Sequence, residues 1–440
     1  MHIIPLSFNQ NVSNVAVTID NKLTIYNINP FGKIFELQGQ QLTNGLSKQD
    51  GILPLNFPNV NSGSILSNSA SLYNDPRYLI EMLFATSLIA VVDKVTQPKK
   101  LKIINTRRKT TICELKFEHN VQQVCLNRKR LVVLLDSKQI FVYDISCMQL
   151  LHTIDVMENK VIKELVNKKQ KKWLNRHINS KNSAISSEIE EDGPSYEIKM
   201  KLSHDDVSTL VYTSYSLNKI NRHHQDTINT NGDDDNKLKD LVILNNIVVF
   251  DALNIKQINF IPNVHSRNVR CLALSHDGNV LSTASTRGTI IRCFRTSSGL
   301  HSFREFRRGS TSCKITQLEF DYNIDYLACV GSTDTIHIFQ MREDNSQHLL
   351  AEERLNLQRT KYQRVSKYIS SKIASHITQQ SIPRNYAYIE KSSDTAFTII
   401  GFPEDVLGQI YVCFGDKIEI YDLPELQGAC TLSQCHSLVE

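Results

Sequence analysis

The stretch Ile140-Phe141-Val142-Tyr143-Asp144 decides the fold, because variants of it recur along the chain. Each copy alternates branched apolar residues with others and ends in an aromatic or apolar residue followed by a polar one. This alternation is typical of a β-strand with one side chain facing inward at every second position. Six further copies are Leu23–Asn27, Leu101–Asn105, Ile247–Asp251, Ile290–Arg295, Ile336–Gln340 and Ile418–Asp422.

The spacing of these copies identifies the repeat. The next-to-last residues Ile104 and Tyr143 lie 39 positions apart, and Phe250, Phe294 and Phe339 follow one another after 44 and 45. A four-stranded propeller blade occupies about 40–45 residues, and the longer intervals fit a blade plus an insertion. The sequence therefore predicts an all-β, seven-bladed β-propeller, residues 1–440 forming one domain. A set of unrelated β-sandwiches that share similar strand ends is the alternative.

The propeller is expected to be a divergent WD-repeat protein and to close its ring by strand exchange. The Trp-Asp dipeptide of such repeats is missing, since the one tryptophan, Trp173, lies in a basic polar stretch. Residues Gly428 to Leu438 are predicted to form an outer strand of the last blade. Ile3 to Phe8 are predicted to join the same blade, because a closed ring leaves no open sheet edge.

Four insertions interrupt the repeats. Residues 38–70 are rich in Asn, Ser and Gln, and 166–200 and 215–240 carry runs of charge, so we expect flexible, partly disordered loops there. The fourth insertion, 341–383, is predicted to contain one basic amphipathic helix. Its apolar positions at helical spacing are Tyr362, Val365, Ile369, Ile373 and Ile377. Such a helix either packs on the propeller or contacts an anionic membrane, and its cationic polar face favours the membrane.

Composition excludes several classes of protein. The 440 residues include 41% hydrophobic ones and carry a formal net charge of +5, which fits neither a disordered chain nor a general nucleic-acid binder. The ten cysteines lack C-x-x-C spacing and lie mostly in apolar runs, as in reduced intracellular proteins, with metal binding or disulfides as the alternative. Nucleotide-binding, zinc-protease and serine-hydrolase motifs are absent. We therefore predict no enzyme, catalytic residue, metal or cofactor.

The sharpest local feature is the tetrapeptide Phe306-Arg307-Arg308-Gly309, between the fifth and sixth repeats. Because successive strand residues point to opposite sides, the two arginines should serve two separate pockets. Arginine matches phosphate oxygens with a planar fork, and Ser, Thr and His add shorter hydrogen bonds. Polar residues flank the pair on both sides: His265, Ser285, Thr289 and Arg292 upstream, and Lys314, Thr333, Thr335 and His337 downstream.

With this tetrapeptide, seven blades and a long basic insertion, the chain resembles the PROPPINs, propellers that bind polyphosphoinositides. Met82–Ala90 and Leu126–Val133 are similar to second- and third-blade segments of the fungal autophagy members. The resemblance implies two rim sites for phosphatidylinositol 3-phosphate and the 3,5-bisphosphate. The first would use His265, Ser285, Thr289, Arg292 and Arg307, and the second Arg308, Lys314, Thr333, Thr335 and His337. Lys314 stands where an arginine is usual, and Asp334 lies between two residues of the second site.

The resemblance also implies a role. The protein would be a cytoplasmic effector, peripheral on vacuolar, endosomal and preautophagosomal membranes, with the insertion after Gln340 entering the bilayer. It would bring autophagy machinery to these membranes in autophagosome formation, cytoplasm-to-vacuole transport and mitophagy. Its protein partner would be a lipid-transfer protein or a scaffold of the conjugation machinery, bound through the second and third blades. Two alternatives are a soluble scaffold that binds an acidic protein segment without lipid, and a hydrolase with an unrecognised site.

Overall fold

The computed structural model describes residues 2–37, 76–167, 197–217, 242–298, 300–342, 382–391 and 397–439. In this part of the chain the strands form seven sheets, each built on four antiparallel strands that follow one another in sequence order from one edge to the other. The sixth sheet has a fifth, parallel strand at its edge, contributed by a later stretch of chain. We call the sheets blades 1 to 7 in chain order. The predicted seven-bladed propeller is confirmed.

Blades 1 to 3 contain β1 (Ile3–Phe8), β2 (Asn14–Ile19), β3 (Lys22–Asn27), β4 (Gly32–Leu37), β5 (Tyr78–Met82), β6 (Leu88–Asp93), β7 (Lys100–Asn105), β8 (Thr110–Lys116), β9 (Val121–Leu126), β10 (Arg130–Leu135), β11 (Gln139–Asp144) and β12 (Leu150–Asp155). Blades 4 and 5 contain β13 (Met200–Leu202), β14 (Thr209–Leu217), β15 (Val242–Asp251), β16 (Lys256–Ile261), β17 (Val269–Leu274), β18 (Val280–Ser285), β19 (Ile290–Arg295) and β20 (Arg304–Arg307). Blades 6 and 7 contain β21 (Ile315–Phe320), β22 (Tyr326–Gly331), β23 (Thr335–Gln340), β24 (Ala387–Glu390), β25 (Thr398–Gly401), β26 (Gln409–Phe414), β27 (Lys417–Asp422), β28 (Gly428–Ala429) and β29 (Thr431–Ser437).

The recurring sequence signature marks the same strand in every blade. Its seven copies fall on β3, β7, β11, β15, β19, β23 and β27, which are the third strands of the seven sheets. The third strand has buried apolar residues on both sides because both faces of a blade pack against neighbouring blades. In β23, for example, Ile336 and Ile338 face blade 7, and Phe339 faces blade 5.

The core lies in the seams between blades rather than in one central cluster. One buried apolar cluster spans each pair of neighbours, including the pair formed by blades 7 and 1. A central cavity of about 1140 Å³ is lined by residues of the innermost strands of every blade except blade 3, and by neighbouring loop residues such as Asp334 and Lys391. Glu81, Lys201 and Glu319 line this cavity, and burial raises the pKa of Glu81 to about 7.

The predicted closure of the ring by Ile3–Phe8 is wrong. This segment is β1, and it pairs with β2 of its own blade, from Ile3 opposite Ile19 to Phe8 opposite Val15. Blade 7 is completed by β29, and the short β28 pairs in parallel with β24 of blade 6. The connection between β1 and β2 is short, so local pairing is entropically cheaper than pairing with a strand more than 400 residues away.

Side-chain contacts join blades 7 and 1 instead. The Tyr26 hydroxyl donates to the Leu438 carbonyl at 2.9 Å, and the ring of Phe31 stacks between Tyr26 and His436. Val15, Val17 and other residues of blade 1 pack with Cys413 and Ile418 of blade 7 in a shared buried cluster. Within the described residues, no strand crosses this seam.

The predicted insertion boundaries also need correction. Residues 160–167 form a short helix, α1, although 166–200 was expected to be flexible. The Asn159 side chain caps α1 by accepting from the Val161 and Ile162 amides, and Val166 is fully buried against blades 3 and 4. Residues 215–217 belong to β14, and Met200 begins β13. Insertion 38–70 lies outside the described residues, as do Tyr362, Val365, Ile369, Ile373 and Ile377.

Candidate functional site

The two motif arginines lie on opposite faces of blade 5. In β20, Glu305 and Arg307 alternate with Phe306, whose ring is buried among residues of blade 6. Glu305 is paired with Arg292 of β19, so Arg292 and Arg307 share the face that packs against blade 4. Arg308 follows the strand, and its charge acts on groups of blade 6. Each arginine therefore belongs to a different seam.

The first cleft lies between blades 4 and 5. His265 is in the loop that enters blade 5, and its Nε2 is hydrogen-bonded to Thr283 Oγ1 at 2.9 Å. The Arg292 guanidinium donates through Nε to Glu305 Oε1 at 2.8 Å and through Nη1 to the Val264 carbonyl at 2.8 Å. These bonds fix the Arg292 side chain next to His265.

Electrostatics keep the histidine of the first cleft neutral. His265 is only 5% exposed, and burial together with the nearby Arg292 charge lowers its pKa to about 4. A neutral imidazole donates one hydrogen bond and accepts another, depending on its tautomer. The exposed Arg307 has no partner for its guanidinium within the described residues. The first cleft thus contains two guanidinium groups. That of Arg292 is held by hydrogen bonds within the protein, and that of Arg307 has no such bond among the described residues.

The second cleft lies between blades 5 and 6. Arg308 is buried, and its guanidinium donates to the carbonyls of Gly288 at 2.7 Å and Thr311 at 2.5 Å. Thr335 and His337 project from β23 towards blade 5, on the same face as Phe339. The expected alternation on β23 is therefore observed, although both faces lie in seams and neither is an open surface.

His337 resembles His265 in its electrostatic environment. Burial and the Arg308 charge lower the pKa of His337 to about 4, and its Nδ1 is buried without a hydrogen-bond partner in the described residues. Cys313 contacts the hydroxyls of Ser332 at 3.5 Å and Thr333 at 3.9 Å. A buried unpaired nitrogen beside a fixed guanidinium is a suitable environment for an oxyanion.

Thr289, Ser285 and Lys314 are the remaining predicted site residues. Thr289 precedes β19, and its carbonyl accepts from the Arg308 amide at 3.0 Å, so its main chain contacts the arginine of the second cleft rather than the first. Ser285 is buried at the end of β18, on the blade 4 face. Lys314 lines the central cavity together with Asp334. A Cβ atom added to Gly309 would meet nothing within 4 Å, so packing does not require this glycine.

Sequence reasoning missed Thr283. It lies two residues before Ser285 on the same strand face and hydrogen-bonds His265 across the cleft. The period-2 alternation of β18 is the signal that would have identified it, because Thr283 lies on the same buried face as Ser285 and a buried polar side chain needs a hydrogen-bond partner.

The described residues lack a membrane-spanning helix and a metal-binding cluster. They contain no helix that combines the length and apolarity needed to cross a bilayer. They also contain no group of three or more His, Cys, Asp or Glu side chains placed to hold a metal ion.

Comparison with known proteins places these clefts in context. The PROPPIN family model matches residues 66–191 and 239–439. Autophagy-related protein 21 of Eremothecium gossypii is 37% identical, over 97% of this chain and 98% of the relative. Autophagy-related protein 21 of Kluyveromyces lactis is 38% identical, with 97% of each chain covered.

Solved structures agree with this relationship. A complex of KlAtg21 with the coiled-coil of AgAtg16 matches with a TM-score of 0.64 and 34% identity, and 99% of each chain is covered. Kluyveromyces lactis Hsv2p matches over the full length of both chains with a TM-score of 0.56 at 16% identity, which supports the fold alone.

Proposed function

Since the chain belongs to the PROPPIN family, whose members are non-enzymatic autophagy adaptors, we propose that it binds phosphatidylinositol 3-phosphate and the 3,5-bisphosphate through its two clefts. The observation that carries the proposal is the divergence of Arg307 and Arg308. Adjacent residues reach two seams, and each seam holds a neutral histidine, His265 or His337. Two headgroup sites on one rigid blade give avidity, so membranes rich in the lipid are bound more tightly than single headgroups.

Further parts of the proposal concern the membrane. The protein is peripheral on vacuolar, endosomal and preautophagosomal membranes, and its basic insertion 341–383 enters the bilayer through Ile369, Ile373 and neighbouring apolar residues. Burial of each such side chain contributes at most about 1.5–3 kcal/mol. Replacing both isoleucines by aspartate is therefore expected to weaken vesicle binding and to leave soluble headgroup binding unchanged.

Vesicle flotation with and without phosphatidylinositol 3-phosphate tests the lipid proposal. Arg307→Thr removes an exposed guanidinium and is expected to lower the bound fraction, and Arg307→Thr combined with Arg308→Thr should reduce it to background. Arg107→Thr, a matched change of an exposed arginine in blade 2, should have no effect. Unchanged flotation of the folded double variant would contradict lipid binding and favour the soluble scaffold that binds an acidic protein segment.

We also propose that the protein partner is a coiled coil of the conjugation machinery, because the related KlAtg21 was solved in complex with the AgAtg16 coiled-coil. Blades 2 and 3 support this choice with a basic surface. Arg107, Arg108 and Lys109 follow β7, and Arg128 and Lys129 follow β9 at the same end of the neighbouring blade, all exposed. Arg128 lies over the Phe84 ring at 4.0 Å, which limits its motion.

A pull-down with an Atg16 coiled coil tests the partner separately from the lipid. Arg107→Glu with Arg108→Glu should abolish capture and leave flotation on phosphatidylinositol 3-phosphate vesicles intact. Capture that survives the charge reversal, or capture of a lipid-transfer partner instead, would contradict this assignment.

A further inference from the structure

Lys391 occupies in blade 6 the position that Arg308 occupies in blade 5. Each residue follows the outer strand of its blade, since β20 ends at Arg307 and β24 ends at Glu390. The Arg308 amide donates to the Thr289 carbonyl at 3.0 Å, and the Lys391 amide donates to the Asp334 carbonyl at 2.7 Å. In both blades the acceptor immediately precedes the third strand. Lys391 is therefore the structural counterpart of Arg308, one blade further around the ring.

The Lys391 side chain reaches back to the turn that forms the second cleft. Its Nζ donates to the Gly331 carbonyl at 3.3 Å. Gly331 packs so closely against Cys313 that an added Cβ atom would stand 2.6 Å from Cys313 Sγ. Arg308 acts on Cys313 from the side of blade 5. The turn of residues 332–334, which carries Ser332, is thus flanked by a guanidinium on one side and an ammonium on the other.

A hydroxyl group without a hydrogen-bond partner among the described residues lines the central cavity, which Lys391 also lines. Thr398 begins β25 in blade 7 and is 8% exposed, and its Oγ1 has no hydrogen-bond partner within the described residues. Thr398, Lys391, Lys314 and Ser332 all line the central cavity. A buried hydroxyl without a partner calls for a ligand or a water molecule, because burial of an unpaired polar group is costly.

The negative charge of Asp334 opposes anion binding near the turn. Asp334 is exposed and lies beside Lys391. Burial lowers the pKa of Lys391, and the Asp334 charge offsets part of this by favouring the charged form of the lysine. Glu390, opposite Thr335 in the register of β23 and β24, adds a second carboxylate near the turn, against the positive charges of Lys314 and Lys391. The wider lining of the cavity also contains Glu81, Glu319, Asp321 and Glu404. With Arg308, the surroundings of the turn remain net positive, as a phosphate monoester requires.

From this arrangement we propose that Lys391 contacts phosphate in the second site, binding an additional phosphate group of a multiply phosphorylated inositol headgroup. The inference rests on the proposed function, since it assumes that the second cleft binds such headgroups. With this contact, the second cleft rather than the first distinguishes the 3,5-bisphosphate lipid from the 3-phosphate lipid. The ligand chemistry is a phosphate monoester, carried by a lipid headgroup or by a soluble inositol phosphate.

Calorimetry of Lys391→Met with two soluble headgroups tests the proposal. Affinity for inositol 1,3,5-trisphosphate should fall about tenfold, because one charge-assisted contact is lost, and affinity for inositol 1,3-bisphosphate should change less than about twofold. Bisphosphate binding also reports that the variant is folded. Lys391→Arg keeps the charge and should retain trisphosphate binding, and Lys99→Met, an exposed lysine of blade 2, should behave as the wild type. Asp334→Asn should tighten trisphosphate binding.

The outcomes separate this inference from the function beneath it. If the wild type binds neither headgroup, the proposed function fails. If it binds both and Lys391→Met weakens them equally or not at all, the role of Lys391 is refuted while the function stands. Flotation on vesicles with the 3,5-bisphosphate lipid should fall in parallel with trisphosphate binding. If Lys391→Met weakens binding of the soluble trisphosphate but leaves flotation unchanged, the lipid is not the source of the phosphate that Lys391 contacts.

Discussion

Replacing Arg308 by methionine should reduce both stability and binding, whereas replacing Arg307 should reduce binding alone. The two side chains differ in burial and in hydrogen bonding. Arg308 is 7% exposed and holds the carbonyls of Gly288 and Thr311, while the guanidinium of Arg307 is exposed to solvent. One motif thus contains a residue that supports the fold and a residue available only to a ligand.

The magnitude follows from the two hydrogen bonds. A hydrogen bond with a charged donor contributes about 1.5–3 kcal/mol net, and a buried carbonyl left without a donor adds to the loss. Arg308→Met should therefore lower the free energy of unfolding by at least about 3 kcal/mol. Arg307→Met should change it by less than about 0.5 kcal/mol, as is usual for surface substitutions.

Urea denaturation followed by circular dichroism measures the stability difference, and flotation on phosphatidylinositol 3-phosphate vesicles measures binding. We expect a lower urea midpoint for Arg308→Met and an unchanged midpoint for Arg307→Met, with reduced flotation for both. Equal midpoints for the two variants would refute the assignment of Arg308 as a structural residue. Because a joint replacement combines both effects, Arg307 alone gives the cleaner test of lipid recognition.

Two further predictions concern pH and a glycine. His265 has a pKa of about 4 when folded and about 6.5 when unfolded, so only the unfolded chain gains a proton between these values, and stability present above pH 6.5 is lost as the pH falls. The wild type should lose about 2 kcal/mol relative to His265→Asn between pH 7 and pH 5, measured as the free energy of unfolding; a constant difference would contradict the buried neutral imidazole. Gly288 has a φ of +64°, and an added Cβ atom would overlap the Cys313 carbonyl, so Gly288→Ala should destabilise the protein by at least about 1–3 kcal/mol. Gly309→Ala is the matched control with open space at Cβ, and equal urea midpoints for the two alanine variants would argue against the tight turn.

Alternation along single strands was predictable from sequence, and pairing between distant strands was not. The seven third strands were identified because each has branched apolar residues facing two neighbouring blades. The same alternation separated Arg307 from Arg308. The pattern of Ile3–Phe8 shows a strand but does not show its partner, which is why its blade was assigned wrongly. The helix at 160–167 is short and depends on Asn159 as its cap and on burial of Val166, neither of which a periodic pattern reveals.

Contacts across seams account for the site residues that were missed. Thr283 and His265 meet because a loop from blade 4 reaches β18, and sequence spacing carries no information about that approach. Lys391 is separated from Arg308 by the whole of blade 6 and its insertion. Its equivalence to Arg308 depends on the register of β23 and β24, with Thr335 opposite Glu390. Only the paired structure supplies this register.

The order of the strands has a consequence for how the chain folds. Among the described residues, the four antiparallel strands of each blade are complete once their own stretch of chain has been synthesised, and only β28 is added later, to the edge of blade 6. Blades can form in order from the amino-terminal side, each on the seam left by the one before, as in repeat proteins with neighbour-only contacts. The contact between Tyr26 and Leu438 is then made last, and the seam between blades 7 and 1 opens without breaking a sheet, unlike the seam between blades 6 and 7 that β28 crosses.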